Sequence, residues 1–146
     1  MPTTTIAEFM EQDHDRLDEI FNRFHTIKKQ DAQTARLLFQ ELKTGLHRHI
    51  RWEEEILFPV FEAQAEMARD HGPTGVMRNE HRQIKDLLEQ IQAKVAEGDL
   101  TTEEAEEGLL QVLTAHNVKE EKILYPWIDT CVSDEERASL LARMGN

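Results

Sequence analysis

Four stretches of this chain place apolar residues at three- and four-residue steps, and each breaks its stripe with a histidine where a core residue is due. Ile6, Met10, Leu17, Phe21 and Phe24 mark a helix from Thr5 to about Lys29. Leu38, Leu42, Ile56 and Val60 mark a second, from about Ala32 to Met67. Ile84, Leu88, Ile91 and Val95 give a third, from about Val76 to Glu97. Leu109, Leu113 and Leu124 give a fourth, which Thr101 and Glu104 open as a capping box. Such steps line one face of an α-helix, and that face must be buried against another element. The run Arg69-Asp70-His71-Gly72-Pro73-Thr74-Gly75 predicts a turn, and Gly98 stops the third helix. Pro59 and Pro126 kink or interrupt their helices, because proline lacks the amide hydrogen of an i→i−4 bond. Ser133 with Glu136 caps a short terminal helix ending near Arg143. No segment alternates with period two. The expectation is an all-α fold, an antiparallel up-down four-helix bundle with a short C-terminal helix, built as a single domain over residues 1–146.

Continuing each stripe through its gap identifies the unusual residues. The first helix lacks an apolar residue at His14, the second at His49 and Glu53, the third at His81, and the fourth at His116 and Glu120. Any one of these fits ordinary packing, as a core histidine with a hydrogen bond or a His–Glu pair one turn apart. An unpaired buried carboxylate is expensive, however, and here four imidazoles and two carboxylates converge on one bundle interior. Hydrogen bonding alone would need several further acceptors. A divalent cation uses neutral imidazole and ionised carboxylate directly.

A repeat sharpens the metal reading. His49-Ile50-Arg51-Trp52-Glu53-Glu54-Glu55-Ile56-Leu57-Phe58-Pro59 corresponds to His116-Asn117-Val118-Lys119-Glu120-Glu121-Lys122-Ile123-Leu124-Tyr125-Pro126, both of the form H-x3-E-E-x-I-L-aromatic-P. A four-residue step turns about 400° and rises about 6 Å, so each His and its Glu share a helix face. Two such faces can clamp two metal ions, with the carboxylates bridging and His14 and His81 completing the ends. With no thiolate set, a structural zinc site is poorly supported, and an all-oxygen site for calcium or magnesium is absent. Mixed imidazole and carboxylate suits iron or manganese, with zinc a substitute in vitro. A histidine-rich, less anionic site stabilises ferrous iron, which favours binding or sensing O2 over oxidising hydrocarbon.

The remaining composition narrows the class. The net charge of −12 argues against a nucleic-acid partner, which needs a basic footprint. No apolar run approaches a membrane span, and no signal-peptide pattern precedes Glu8 and Glu11, so a soluble cytoplasmic protein with no membrane partner is expected. Cys131, the single cysteine, excludes an internal disulfide and fits a reducing compartment.

His14, the His49-x3-Glu53 pair, His81 and the His116-x3-Glu120 pair, with their Leu-aromatic-Pro tails, make the chain resemble the hemerythrin-like family of HHE cation-binding domains over nearly its whole length. The resemblance implies a four-helix bundle holding two iron ions joined by an oxo or hydroxo bridge, with manganese or zinc as substitutes. It also implies a small-molecule partner: O2, NO or peroxide. Family activities include reversible O2 binding, sensing of O2, iron or redox state, nitric oxide handling and repair of iron centres. The function expected is a non-haem di-iron protein that binds or senses O2 or a related small molecule, or reports iron or redox state. The alternative is a di-iron enzyme for nitric oxide reduction, peroxide decomposition, ferrous oxidation or iron-centre repair.

The third helix departs from the oxygen carriers, which place two histidines there four residues apart. This chain has Met77 and then His81, leaving one metal short of a nitrogen ligand. His71, Glu54 and Glu80 are the candidates to replace it. The carriers' last carboxylate falls five residues after histidine and would select Glu121, whereas the internal repeat selects Glu120. Met77 is a pocket wall or plain core, and Tyr125 a hydrogen-bond donor to a ligand or a core aromatic. Glu54 and Glu121 read as solvated or as supports of the ligands, and His25 and His47 as surface residues.

Overall fold

A computed structural model describes residues 4–67 and 72–145, and within them every regular element is helical. Helix α1 spans Ile6–Ile27 and α2 spans Ala32–Trp52. Thr5 caps α1 by accepting from the Glu8 amide at 3.0 Å, and Asp31 caps α2 through the Thr34 amide at 3.1 Å. The short connection between them forces an antiparallel pair. Gly45 lets the two helices touch, since a Cβ there would lie 2.5 Å from Leu17 Cδ2.

Proline then shapes both long helices identically. After Trp52 the backbone widens into one π turn, Glu53–Leu57, before resuming as α3, Phe58–Gln64. The fourth stripe gives α5, Glu103–Lys119, a second π turn, Glu120–Leu124, and α6, Tyr125–Cys131. The amides of Phe58 and Tyr125, each just before a proline, reach back five residues to the carbonyls of Glu53 and Glu120. A π turn admits one extra residue and absorbs the prolines without ending the helix, a device concentrated at functional sites.

Helix α4 runs Gly72–Ala96, so Gly72, Pro73, Thr74 and Gly75 belong to its first turn rather than to the expected turn. Proline fits there because its missing amide hydrogen would find no partner in a first turn. The helix stops at Ala96, and Gly98, at φ +78°, turns the chain just past its end, as expected. The Thr101–Glu104 capping box does not form. Thr102 is the N-cap residue, its hydroxyl donates to the buried Glu106 at 2.6 Å, and Thr101 turns back onto Asp99. The Ser133–Glu136 box does form, reciprocally, ahead of α7, Asp134–Gly145. Arg137 of α7 and the first amides of α1, at Ile6 and Ala7, all bond to Asp129 of α6, which gathers three elements at one end.

The interior divides into two apolar clusters. One holds Phe21, Phe24, Phe39, Leu42, Leu88 and Leu109 among others. The second, towards α3, α6 and α7, holds Ile6, Met10, Leu57, Phe61, Ile128 and Met144. The all-α bundle expected from the stripes is the one formed. No helix among the described residues is long and apolar enough to cross a membrane.

Candidate metal centre

Between the two apolar clusters lie His14 of α1, His49 of α2, His81 of α4 and His116 of α5, with Glu53 and Glu120 from the two π turns. All six are buried, and both glutamates are 0% exposed. Each Glu follows its His by one ordinary helical turn, its amide reaching back to the His carbonyl, and so shares the inward face; the widened turn begins at the Glu itself.

The imidazoles share one orientation. Each Nδ1 faces outward onto a carboxylate from another helix: His14 onto Glu121 at 2.9 Å, His49 onto Asp13 at 2.7 Å, His81 onto Glu54 at 2.6 Å and His116 onto Glu80 at 2.8 Å. An Nδ1–H donated to a carboxylate leaves the Nε2 lone pair free. Those Nε2 atoms point inward, at 3.3 Å (His14) and 3.2 Å (His116) from Glu120, and at 3.1 Å (His81) and 3.7 Å (His49) from Glu53.

Two groups of donor atoms result, each with its members within 4.8 Å of one another: Glu53, His81, His116 and Glu120, and His14, His49 and Glu120. Glu120 belongs to both. Its Oε2 is buried and accepts no hydrogen bond, the kind of orphaned atom that a cation would satisfy. The Tyr125 hydroxyl sits among them, its one hydrogen shared between Glu53 at 2.8 Å and Glu120 at 2.9 Å, with His49 and His14 Nε2 at 3.2 and 3.3 Å.

The electrostatics match a site built for positive charge. Burial alone would lower the pKa values of His14 and His81, but the carboxylates around them outweigh it and hold each at about 9. His116 is raised in the same way, chiefly by Glu120. Burial, reinforced by the Glu120 charge, raises Glu53. Burial and the two carboxylates push the Tyr125 phenol well above its ordinary range. Held apart from solvent, the six groups gather four imidazole nitrogens and two carboxylates into two adjoining donor sets. They can hold divalent cations of borderline character.

The other residues of interest are placed as follows. Glu54, Glu80 and Glu121 face the outward Nδ1 atoms, where they orient the imidazoles of His81, His116 and His14. Met77 packs in the second apolar cluster with Met10 and Phe58 and does not line the cavity beside the histidines. His71 lies outside the described residues. His25 is exposed and bonds Glu106, while His47 is half-buried, contrary to a plain surface position. Asp13 was missed as a support of His49. The signal for it was available: Asp13 and Glu80 each precede a ligand-type histidine, and they stand 67 positions apart, as do His14 and His81, His49 and His116, Glu53 and Glu120, and Glu54 and Glu121. The repeat therefore extends to the supporting carboxylates and gives the centre an approximate two-fold symmetry. Tyr125 breaks it, since its counterpart is Phe58, stacked parallel to His81 at 5.9 Å.

The family model for the hemerythrin HHE cation binding domain matches residues 5–128, a span containing all six central residues. The chain is also similar to the iron-sulfur cluster repair protein YtfE of Edwardsiella ictaluri (strain 93-146), at 34% identity over 92 residues. That match covers 59% of this chain and 41% of the relative's length. No solved structure matches the chain.

Proposed function

This chain belongs to the hemerythrin HHE cation-binding family, and from that premise we propose that His14, His49, Glu53, His81, His116 and Glu120 hold two iron ions at which a small molecule such as O2, NO or peroxide binds. One observation carries the reading. Every central imidazole has its Nδ1 fixed by a separate carboxylate and its Nε2 turned to a common point shared with Glu53 and Glu120. A structural hydrogen-bond network has no need to gather four imidazole Nε2 atoms around two carboxylates in a dry interior. A metal centre does, because supported imidazoles are the better ligands.

His14 and His49 would hold one ion, His81 and His116 the other, and the two glutamates would lie between them. Iron bound there supplies a redox-active Lewis acid for a small ligand. The chain's own part is to orient the imidazoles, exclude bulk water and keep a phenol hydroxyl at the carboxylates. A cavity of about 20 Å³ adjoins the four central imidazoles and Glu53. That volume admits a molecule of about water's size and little more.

The test is iron content and spectroscopy of the purified chain. Two iron ions per chain are expected, with a charge-transfer band that forms when the reduced protein meets O2 and vanishes on deoxygenation. His116→Ala should abolish the band and His25→Ala should leave it. Substoichiometric iron, with no loss of stability on chelation, would refute the reading. A second reading, iron-centre repair, draws support from the similarity to the cluster repair protein. Restoration of a damaged iron–sulfur enzyme by the loaded chain, but not by its His116→Ala variant, would favour it.

A further inference from the structure

The two halves of the centre are related by the 67-residue repeat, but the residues outside the ligand-type positions differ between them. On one side of the bundle an open groove of about 310 Å³ runs between α1 and α5. Its inner wall is formed by Asp18, Phe21, Leu113 and Asn117, and these same four residues also line the small cavity against the imidazoles. Groove and cavity are therefore separated by the thickness of one layer of side chains. Asn117 is half-buried, and its side-chain amide makes no hydrogen bond to another described residue. Its counterpart in the other half is Ile50, 3% exposed, an apolar seal where this side has a movable amide.

The charge of the groove is equally lopsided. Asp18 and Glu121 line it, Asp15 stands close enough to act on Asp18, and no cationic residue is part of its lining. The counterpart of Asp18 in the second half is Lys85. Negative charge at the mouth of the groove opposes the entry of anions and leaves neutral molecules unaffected.

We propose that small ligands reach the metal centre through the α1–α5 groove past Asn117, and that Asp18 makes this entrance selective for neutral molecules over anions. The proposal rests on the metal reading above and adds a route and a filter to it. Residues at the mouth, and not the iron ligands, then set how fast a ligand arrives.

The experiment uses the iron-loaded full chain, with iron content measured for each variant, and follows azide and nitric oxide binding by stopped-flow absorption. Asn117→Trp fills the shared wall and should slow both probes at least tenfold with iron content unchanged. Asp18→Asn should speed azide about threefold at low salt, the scale of one screened charge, and leave nitric oxide unchanged. High salt should erase the azide gain. Leu37→Trp, on an exposed position of α2, should alter neither rate. Wild-type rates in Asn117→Trp, or an Asp18→Asn variant in which azide gains nothing over nitric oxide, overturn the proposal. Should the tryptophan variant fail to hold iron, Asp18→Asn decides alone. A wild-type chain that binds no iron would overturn the metal reading instead, and the two failures are told apart by the metal analysis.

Discussion

Loading metal into the metal-free chain should expel protons, and their number follows from the geometry of the imidazoles. His14 and His81 each face a buried carboxylate through Nε2, at 3.3 and 3.1 Å, and a second one through Nδ1. Burial opposes their charge, but these carboxylates prevail and bring both pKa values to about 9. Both are then protonated at neutral pH when no metal is bound. A folded-state pKa above the unfolded value of about 6.5 stabilises the metal-free fold fully below pH ~6.5, and that stability is lost as pH rises through about 9. Each shift corresponds to roughly 3 kcal/mol, and the pair contributes less than twice that because both draw on Glu53 and Glu120. A metal ion needs the Nε2 lone pair that the proton occupies. Two protons must therefore leave, with a further contribution from His116, which is shifted the same way. The overall affinity for a pair of ions should climb about 100-fold per pH unit between pH 7 and 9. Calorimetric titration with zinc, which avoids redox chemistry, in two buffers of different ionisation enthalpy measures the protons released. Release of fewer than one proton per loaded chain, or an affinity flat across that range, would refute the reasoning.

Other perturbations separate the parts of the site. Asp13→Asn should weaken the His14/His49 metal position by about 10- to 100-fold in chelator competition, because the His49 ring loses its anchor, while Glu80→Gln does the same to the His81/His116 position. Glu120 belongs to both donor groups, so Glu120→Ala should deplete both ions, whereas His14→Ala should retain about one, as read by elemental analysis. Tyr125→Phe keeps the ring that Phe58 shows to be tolerated in the repeat but removes the hydroxyl hydrogen shared between the two carboxylates; a loss of about 1.5–3 kcal/mol is expected in urea unfolding of the metal-free chain. Lys28, 1% exposed and paired with buried Glu106 away from the six central residues, should cost about 3 kcal/mol on change to Met with metal content preserved, the low end for a broken buried pair because Glu106 keeps the Thr102 hydroxyl and His25.

Helix identity was legible because the apolar stripes are long and their period unambiguous, and the six central residues were legible because each occupies a gap in one of those stripes. Helix ends were harder to place. Gly72 and Pro73 have the composition of a turn yet open α4, since a first turn tolerates both. Thr101 and Glu104 have the spacing of a capping box, but the buried Glu106 claims the neighbouring Thr102 hydroxyl, and satisfying a buried carboxylate outweighs an exposed cap. The prolines announced an interruption without saying that it would take the form of a π turn that carries the helix onward.

Periodicity along one helix decided by itself which residues face inward, because a turn of 3.6 residues is a local property of the backbone. The bundle and the inward placement of His14, His49, Glu53, His81, His116 and Glu120 follow from it. Which carboxylate steadies which imidazole, that Tyr125 stands at the centre while Met77 does not, and that α1 and α5 leave a groove beside the cavity were settled only by the packing. Those relations depend on how far each helix is rotated and slid against its neighbours. A single helix's sequence does not contain that offset; it is fixed when all the apolar faces are buried together.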